Sequence, residues 1–216
     1  MEQIIKFLIY SHAFLGGLGL ATGMISILAK KGGANHIKSG KIFSYAMILS
    51  ALISLFVAQM PKHENLFLFL IGIFTIYMVL VGNRALTLKN TAKAAHIDKL
   101  ISGLMLLISA TMIVIGMIGM TNKIDNSILY LFFGGFGIFM TFKDFKTYKS
   151  LTKNKNAGIK SHIGRMVGSL IASLTAFLVA GLQIGTLLVW IAPTILGTAY
   201  IIYWNRKFKI IKTATS

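Results

Sequence analysis

The chain has 216 residues, 56% of them hydrophobic and only 12% charged, with a formal net charge of +17 and a mean hydropathy of +0.76. Soluble domains carry about 25% charged residues, so this composition excludes a soluble globule and points to a bilayer. Cysteine is absent, which excludes disulfides, Cys-ligated zinc or iron–sulfur centres and thiol catalysis.

The opening stretch MEQIIKFLIYSHAFLGG has no basic n-region, and its apolar run outlasts a signal peptide, so a retained first span is expected. A hydrocarbon core about 30 Å thick needs roughly 20 apolar residues per helix. Runs free of Lys, Arg, Asp and Glu occur at Phe7–Ala29, Ile42–Met60, Leu66–Asn83, Leu100–Asn122 and Ser127–Phe142. A further run, Met166–Trp204, would measure about 58 Å as one helix, too long for a bilayer even when tilted. The sequence GLQIG at Gly181–Gly185 is its natural turn. The expected fold is an all-α polytopic membrane bundle of seven transmembrane helices, over about 7–29, 42–60, 66–83, 100–122, 127–142, 166–182 and 186–204, in a single domain spanning 1–216.

Basic residues test this topology independently. Lys30, Lys31, Lys38 and Lys41 follow the first span; Arg84, Lys89, Lys93 and Lys99 follow the third. Lys143, Lys146, Lys149, Lys153, Lys155, Lys160 and Arg165 follow the fifth, and Arg206, Lys207, Lys209 and Lys212 follow the seventh. Only Lys6, Lys62 and Lys123 are left for the other face. The positive-inside rule then puts the N-terminus outside and the C-terminus in the cytoplasm, in a multi-pass protein of the inner (cytoplasmic) membrane. A basic surface is the usual footprint of a nucleic-acid binder. Here the charge forms a cytoplasmic collar facing anionic lipid, so nucleic acid is not an expected partner.

A phrase recurs along the chain: HIKSGKIF from His36, HIDKLISG from His96 and SHIGRMVGSL around His162. Each histidine precedes an isoleucine, then a basic residue, then an even-numbered span. The spacing predicts three helix-hairpin repeats, spans one–two, three–four and five–six, with a C-terminal helix appended. Asn35 and Ser161 have N-cap chemistry, which would set His36 and His162 in a first helical turn, where neighbouring cations and the helix dipole favour neutral imidazole. Glycines at 16, 19 and 23, at 134, 135 and 137, and at 164 and 168 suit close helix approach. Pro193 is expected to kink or break the seventh span.

One candidate site follows: a cytoplasm-facing pocket of His36, His96 and His162 with Lys99, Arg165 and Arg84, suited to an anionic ligand or lipid headgroup. The bland alternative makes the same residues interface anchors at headgroup depth. His12, inside the first span beside Tyr10 and Ser11, is either functional or a neutral imidazole satisfied by a hydroxyl. His63, in the loop PKHEN, reads as solvated. Asp98 complements the dipole of the fourth span, and Arg84 snorkels to headgroups or pairs with it, the former being preferred. Asp144 reads as counter-ion to its neighbouring lysines, and Asp125 completes the few acids beyond Glu2 and Glu64. No Walker loop, HExxH, GxSxG or nucleotide fingerprint is present, so a non-enzymatic role is expected.

At KKGGANHIKSGKIFSYAM, HIGRMVGSLIASLTAFLV and WIAPTILGTAYIIYW the chain resembles a bacterial family of small multi-pass membrane proteins of unknown function, the domain-of-unknown-function 2306 family. The resemblance implies a membrane protein and no particular activity. Rhodopsin chemistry is set aside because the seventh span has no lysine for a Schiff base, and adiponectin-receptor-type hydrolase chemistry because that span lacks paired histidines. The first functional expectation is therefore recognition of an anionic ligand or headgroup, with membrane lipids as partners and a homo-oligomer compatible with the sequence. The alternative is a haem- or divalent-metal-binding redox protein using His36, His96 and His162 as ligands. Small-solute transport ranks below both, because the hairpins repeat in parallel rather than inverted.

Overall fold

A computed structural model of the chain describes residues 2–91, 93–124, 127–154, 156–184 and 186–213. Asp125, Lys155 and Gly185 lie outside the described residues, as do the side chains of Lys89, Lys209 and Lys212. Among the described residues seven α-helices follow one another: α1 (Glu2–Leu28), α2 (Ala34–Val57), α3 (Leu66–Arg84), α4 (His96–Thr121), α5 (Ser127–Lys149), α6 (Ala157–Ala176) and α7 (Leu187–Thr213). A 3₁₀ turn, Thr87–Asn90, precedes α4, and a π-turn, Phe177–Gly181, closes α6. No strand occurs among the described residues. Lipid cannot satisfy backbone N–H and C=O groups, so an apolar chain of this composition must close its hydrogen bonds within helices. Six helices, α1 to α6, are long and apolar enough to cross a membrane, which makes the chain a multi-pass membrane protein.

Helix ends differ from the expected spans in a consistent direction. α1 starts at Glu2 rather than 7, α5 runs on to Lys149 rather than 142, and α6 starts at Ala157 rather than 166. Charge marks where the hydrocarbon ends, not where the helix ends, because lysine stems lie along a helix while their ammonium groups reach water. Two expected caps are corrected. Gly33 occupies the N-cap of α2 with no side-chain bond, so Asn35 is inside the helix and His36 stays in the first turn. α6 starts at Ala157, where Asn154 Oδ1 accepts from the Asn156 N–H (3.1 Å) and the Asn156 carbonyl accepts from Lys160 N–H (3.0 Å), which leaves Ser161 and His162 in the second turn. Pro193 does not break α7, which is continuous through it. The GLQIG segment does leave the helix, with Gln183 at φ +55°.

The chain forms two compact units, Met1–Asn83 with His162–Ser216, and Arg84–Ser161. In the first, Phe43, Met47, Val79 and Leu170 form a buried cluster against which Leu20, Ile27, Ile48 and Met166 pack. Gly19 and Gly23 of α1 admit this packing: a Cβ at Gly23 would lie 2.8 Å from Leu170 Cδ1 and 2.9 Å from Phe43 Cδ2. In the second unit α4 and α5 pack along a seam of small and polar residues. α4 buries Asp98, Ser102, Met105, Ser109, Met112, Gly116 and Gly119, and α5 buries Ser127, Gly134, Gly137, Thr141 and Asp144. The α4 spacing alternates four and three, the heptad seam of an antiparallel helix pair. Leu88, Leu151 and Ala157 form a second buried cluster with Ala94 and Tyr148 at its edge.

Candidate functional site

His12 and His36 share one arrangement. His12 Nδ1 donates to the Ser50 carbonyl at 2.9 Å, while Ser50 Oγ donates back to the His12 carbonyl at 3.0 Å. His36 Nδ1 donates to the Ser26 carbonyl at 2.9 Å, while Ser26 Oγ donates back to the His36 carbonyl at 3.3 Å. Positions 12 and 26 on α1, and 36 and 50 on α2, are both 14 residues apart, so one reciprocal clasp closes the antiparallel pair at two levels about 21 Å apart. His12 is thus satisfied by a hydroxyl-bearing residue, but by Ser50 of the neighbouring helix and not by Ser11 or Tyr10.

His162 Nδ1 donates to the Gly82 carbonyl at 2.8 Å. Ser26 and Gly82 lie in the last turns of α1 and α3, where carbonyls have no intrahelical donor. Both imidazoles therefore cap the C-terminal end of another helix. Because each acceptor is a carbonyl, each Nδ1 must carry a proton, and in the neutral ring it is Nε2 that holds the lone pair.

Lys31 completes the cap on α1. Its ammonium donates to the carbonyls of Ser26 (3.0 Å), Ile27 and Ala29 (3.0 Å), and stands 5.6 and 5.5 Å from the ring centres of Tyr200 and Trp204. Burial lowers its pKa from the ordinary 10.5. The folded state thus holds this proton less tightly than the unfolded chain, and the resulting cost fades as pH rises from the lowered value toward 10.5.

The two arginines are not presented to an outside anion. Arg84 Nε donates to Asp98 Oδ1 at 2.5 Å, so it pairs rather than snorkels. Asp98 is 3% exposed and its other oxygen accepts from the Ala95 N–H at 2.9 Å. An unpaired carboxylate at that burial would cost far more than the freedom of an arginine side chain, which is why pairing wins. Arg165 is also buried, with its guanidinium carbon 5.5 Å from the Tyr77 ring centre and Nη1 3.8 Å from Met78 Sδ.

Asp144 sits in the helix seam. It is 1% exposed and accepts from Ser102 Oγ at 3.0 Å; Ser102 Oγ lies 2.9 Å from Tyr148 Oη, which reaches the Asp98 carbonyl at 3.3 Å. The helical turn puts Asp144 on the seam face of α5 and the exposed Lys143 and Lys146 away from it. The signal was in the spacing Gly134, Gly137, Thr141, Asp144, Tyr148, one stripe of α5.

His96 and Lys99, both in the second unit, are exposed, and their side chains make no hydrogen bond or ion pair among the described residues. They stand at one end of an open groove of about 640 Å³ that continues along Leu100, Gly103, Leu104 and Leu107 of α4. Among the described residues no group of three or more His, Asp or Glu side chains is arranged to hold a metal ion. Within the first unit His36 and His162 lie within electrostatic reach of each other and cap helices, and Arg165 is buried; within the second Arg84 is paired, and His96 and Lys99 are exposed. No protein-family model, no curated protein and no solved structure matches the chain.

Proposed function

We propose that this is a seven-span protein of the cytoplasmic membrane, N-terminus outside and C-terminus cytoplasmic, that binds a phosphate-bearing anion at the start of α4 and has no catalytic role. α7 is the seventh crossing, since 187–204 carries no charged residue and Tyr200, Tyr203 and Trp204 with Lys207 have the chemistry of an interfacial belt. The threefold histidine phrase and the family resemblance agree with a membrane role and add no activity.

The observation that carries the reading is the exposure of His96 and Lys99 beside an apolar groove while Arg84 is tied to Asp98. Asp98, the acid in that turn, is turned inward, so the outward face is cationic. The first turn of α4 adds its own partial positive charge. A test is native mass spectrometry of protein extracted with mixed lipids. The wild type retains anionic over zwitterionic phospholipid, and Lys99→Glu loses that preference. Equal retention by both proteins would refute the reading.

The ring geometry of the first unit favours a second reading. Nδ1-protonated imidazoles fixed by carbonyls are the form that ligates haem iron or a divalent metal through Nε2. His36 and His162 are the residues that would hold such a group; haem needs only one or two protein ligands, so the lack of a larger cluster does not oppose it. Bound haem would supply one-electron chemistry. Purified protein with no Soret absorbance and no bound transition metal would eliminate this reading.

A further inference from the structure

The face of α4 that bears His96 and Lys99 continues as an exposed apolar stripe, and we infer that its occupant is a phospholipid bound by headgroup and acyl chain together. The inference rests on the headgroup reading above and names its ligand class: an anionic glycerophospholipid of the leaflet that α4 enters at His96.

Three observations support it. Leu100, Gly103, Leu104 and Leu107 recur at i, i+3, i+4 and i+7, one continuous stripe of α4. The opposite stripe, Ser102, Met105 and Ser109, is buried against α5, so the leucines are left facing outward, at 55%, 51% and 67% exposure for Leu100, Leu104 and Leu107. From His96 to Leu107 the helix rises about 16 Å, close to half of a hydrocarbon core about 30 Å thick. The groove is thus one leaflet deep, with both polar groups at its headgroup end.

Gly103 makes the depression. A Cβ built there would have no atom within 4 Å outside its own turn, so the missing side chain is not needed for helix packing. Glycine in a helix interior is otherwise unfavourable relative to alanine. Its presence between two leucines leaves a furrow that an acyl chain can fill.

Physical chemistry divides the work between the two ends. A lipid chain gains no hydrophobic free energy by leaving other lipid chains, because both surroundings are equally apolar. The furrow therefore contributes dispersion contacts and a fixed position, and selectivity falls to Lys99 and His96. Lys99 is a compact cation suited to a single phosphate charge. Protonated His96 would add a donor and neutral His96 an acceptor for a headgroup hydroxyl.

The experiment compares diacyl phosphatidylglycerol with its deacylated headgroup, glycerophosphoglycerol, on detergent-purified full-length protein. Wild type is expected to bind the lipid more tightly than the soluble headgroup. Gly103→Leu fills the furrow and should weaken lipid binding about tenfold while leaving the soluble headgroup unchanged. Gly103→Ala, a smaller filling, should fall between. Lys99→Glu should weaken both ligands. Unchanged lipid binding by Gly103→Leu, or equal wild-type affinity for the two ligands, overturns the acyl-chain inference while the headgroup reading stands. If Lys99→Glu alters neither ligand, the headgroup reading falls and the inference with it.

Discussion

Arg84 and Asp98 illustrate how burial decides the use of a charge. Asp98 Oδ2 holds the Ala95 N–H at the start of α4 and Oδ1 holds Arg84, so one carboxylate serves a helix terminus and an ion pair. Arg84 retains side-chain exposure of 33%, whereas Asp98 has 3%. The pair is therefore asymmetric: removing the arginine strands a buried anion, and the cost should be about 3 kcal/mol. Thermal unfolding in detergent should show a large drop for Arg84→Ala and partial recovery for Arg84→Lys, which restores the charge without the planar fork. An Arg84→Ala protein as stable as wild type would show that Asp98 finds its compensation elsewhere. The histidines follow the same logic. Proximity to helix starts suggested anion chemistry, but the Nδ1 protons of His36 and His162 are spent on carbonyls of other helices.

Helix packing in both units depends on where glycine is placed, and adjacent glycines of α5 separate structure from permissiveness. A Cβ at Gly134 would come within 2.9 Å of the Ser109 carbonyl oxygen and 3.0 Å of Ile113 Cγ1, and the backbone atom cannot swing aside. A Cβ at Gly135 meets nothing within 4 Å. Gly134→Ala should therefore destabilise by about 1–3 kcal/mol through overpacking, while Gly135→Ala should be neutral or stabilising by up to about 1 kcal/mol through helix propensity. Parallel melting curves of the two variants check this; equal behaviour would mean that α5 does not approach α4 along the Ser109 stripe. The glycine triplet at 134, 135 and 137 announced a close approach, yet the sequence did not distinguish the seam positions from Gly135. That distinction needs the rotation of the helix, which its partner sets.

At the scale of the whole molecule the governing quantity is charge asymmetry between loops. On the proposed seven-span topology, nineteen of the 22 basic residues fall at or between the helix ends of one face, and moving such clusters across a bilayer is opposed by the bias that orients insertion. The absence of cysteine makes the chain a clean background for labelling. Single cysteines at His63 and Ile124 should react with an impermeant thiol reagent in intact cells, and those at Lys93 and Lys153 only after permeabilisation. Lys62 and Lys123 are avoided because both hold positive φ, 68° and 54°, where a new side chain adds its own strain. Reaction of position 93 or 153 in intact cells would overturn the orientation.

The sequence by itself determined the helical class and the number of long apolar crossings to within one, because continuous apolar runs of this length, unlike the alternating strands of a barrel, satisfy their backbone in lipid as helices. It also put His96 and Lys99 on one face of a helix, three residues apart, and placed the turn after the sixth span at the GLQIG segment. Tertiary structure decided what individual polar groups do: that His36 and His162 cap α1 and α3, that Asp144 is buried against Ser102, and that Arg84 is spent on Asp98. Periodicity fixes which residues share a face of one helix. Which face meets a neighbour, and whether a charge there finds a partner before it finds water, depends on contacts between residues far apart in the chain, and local pattern carries no record of those.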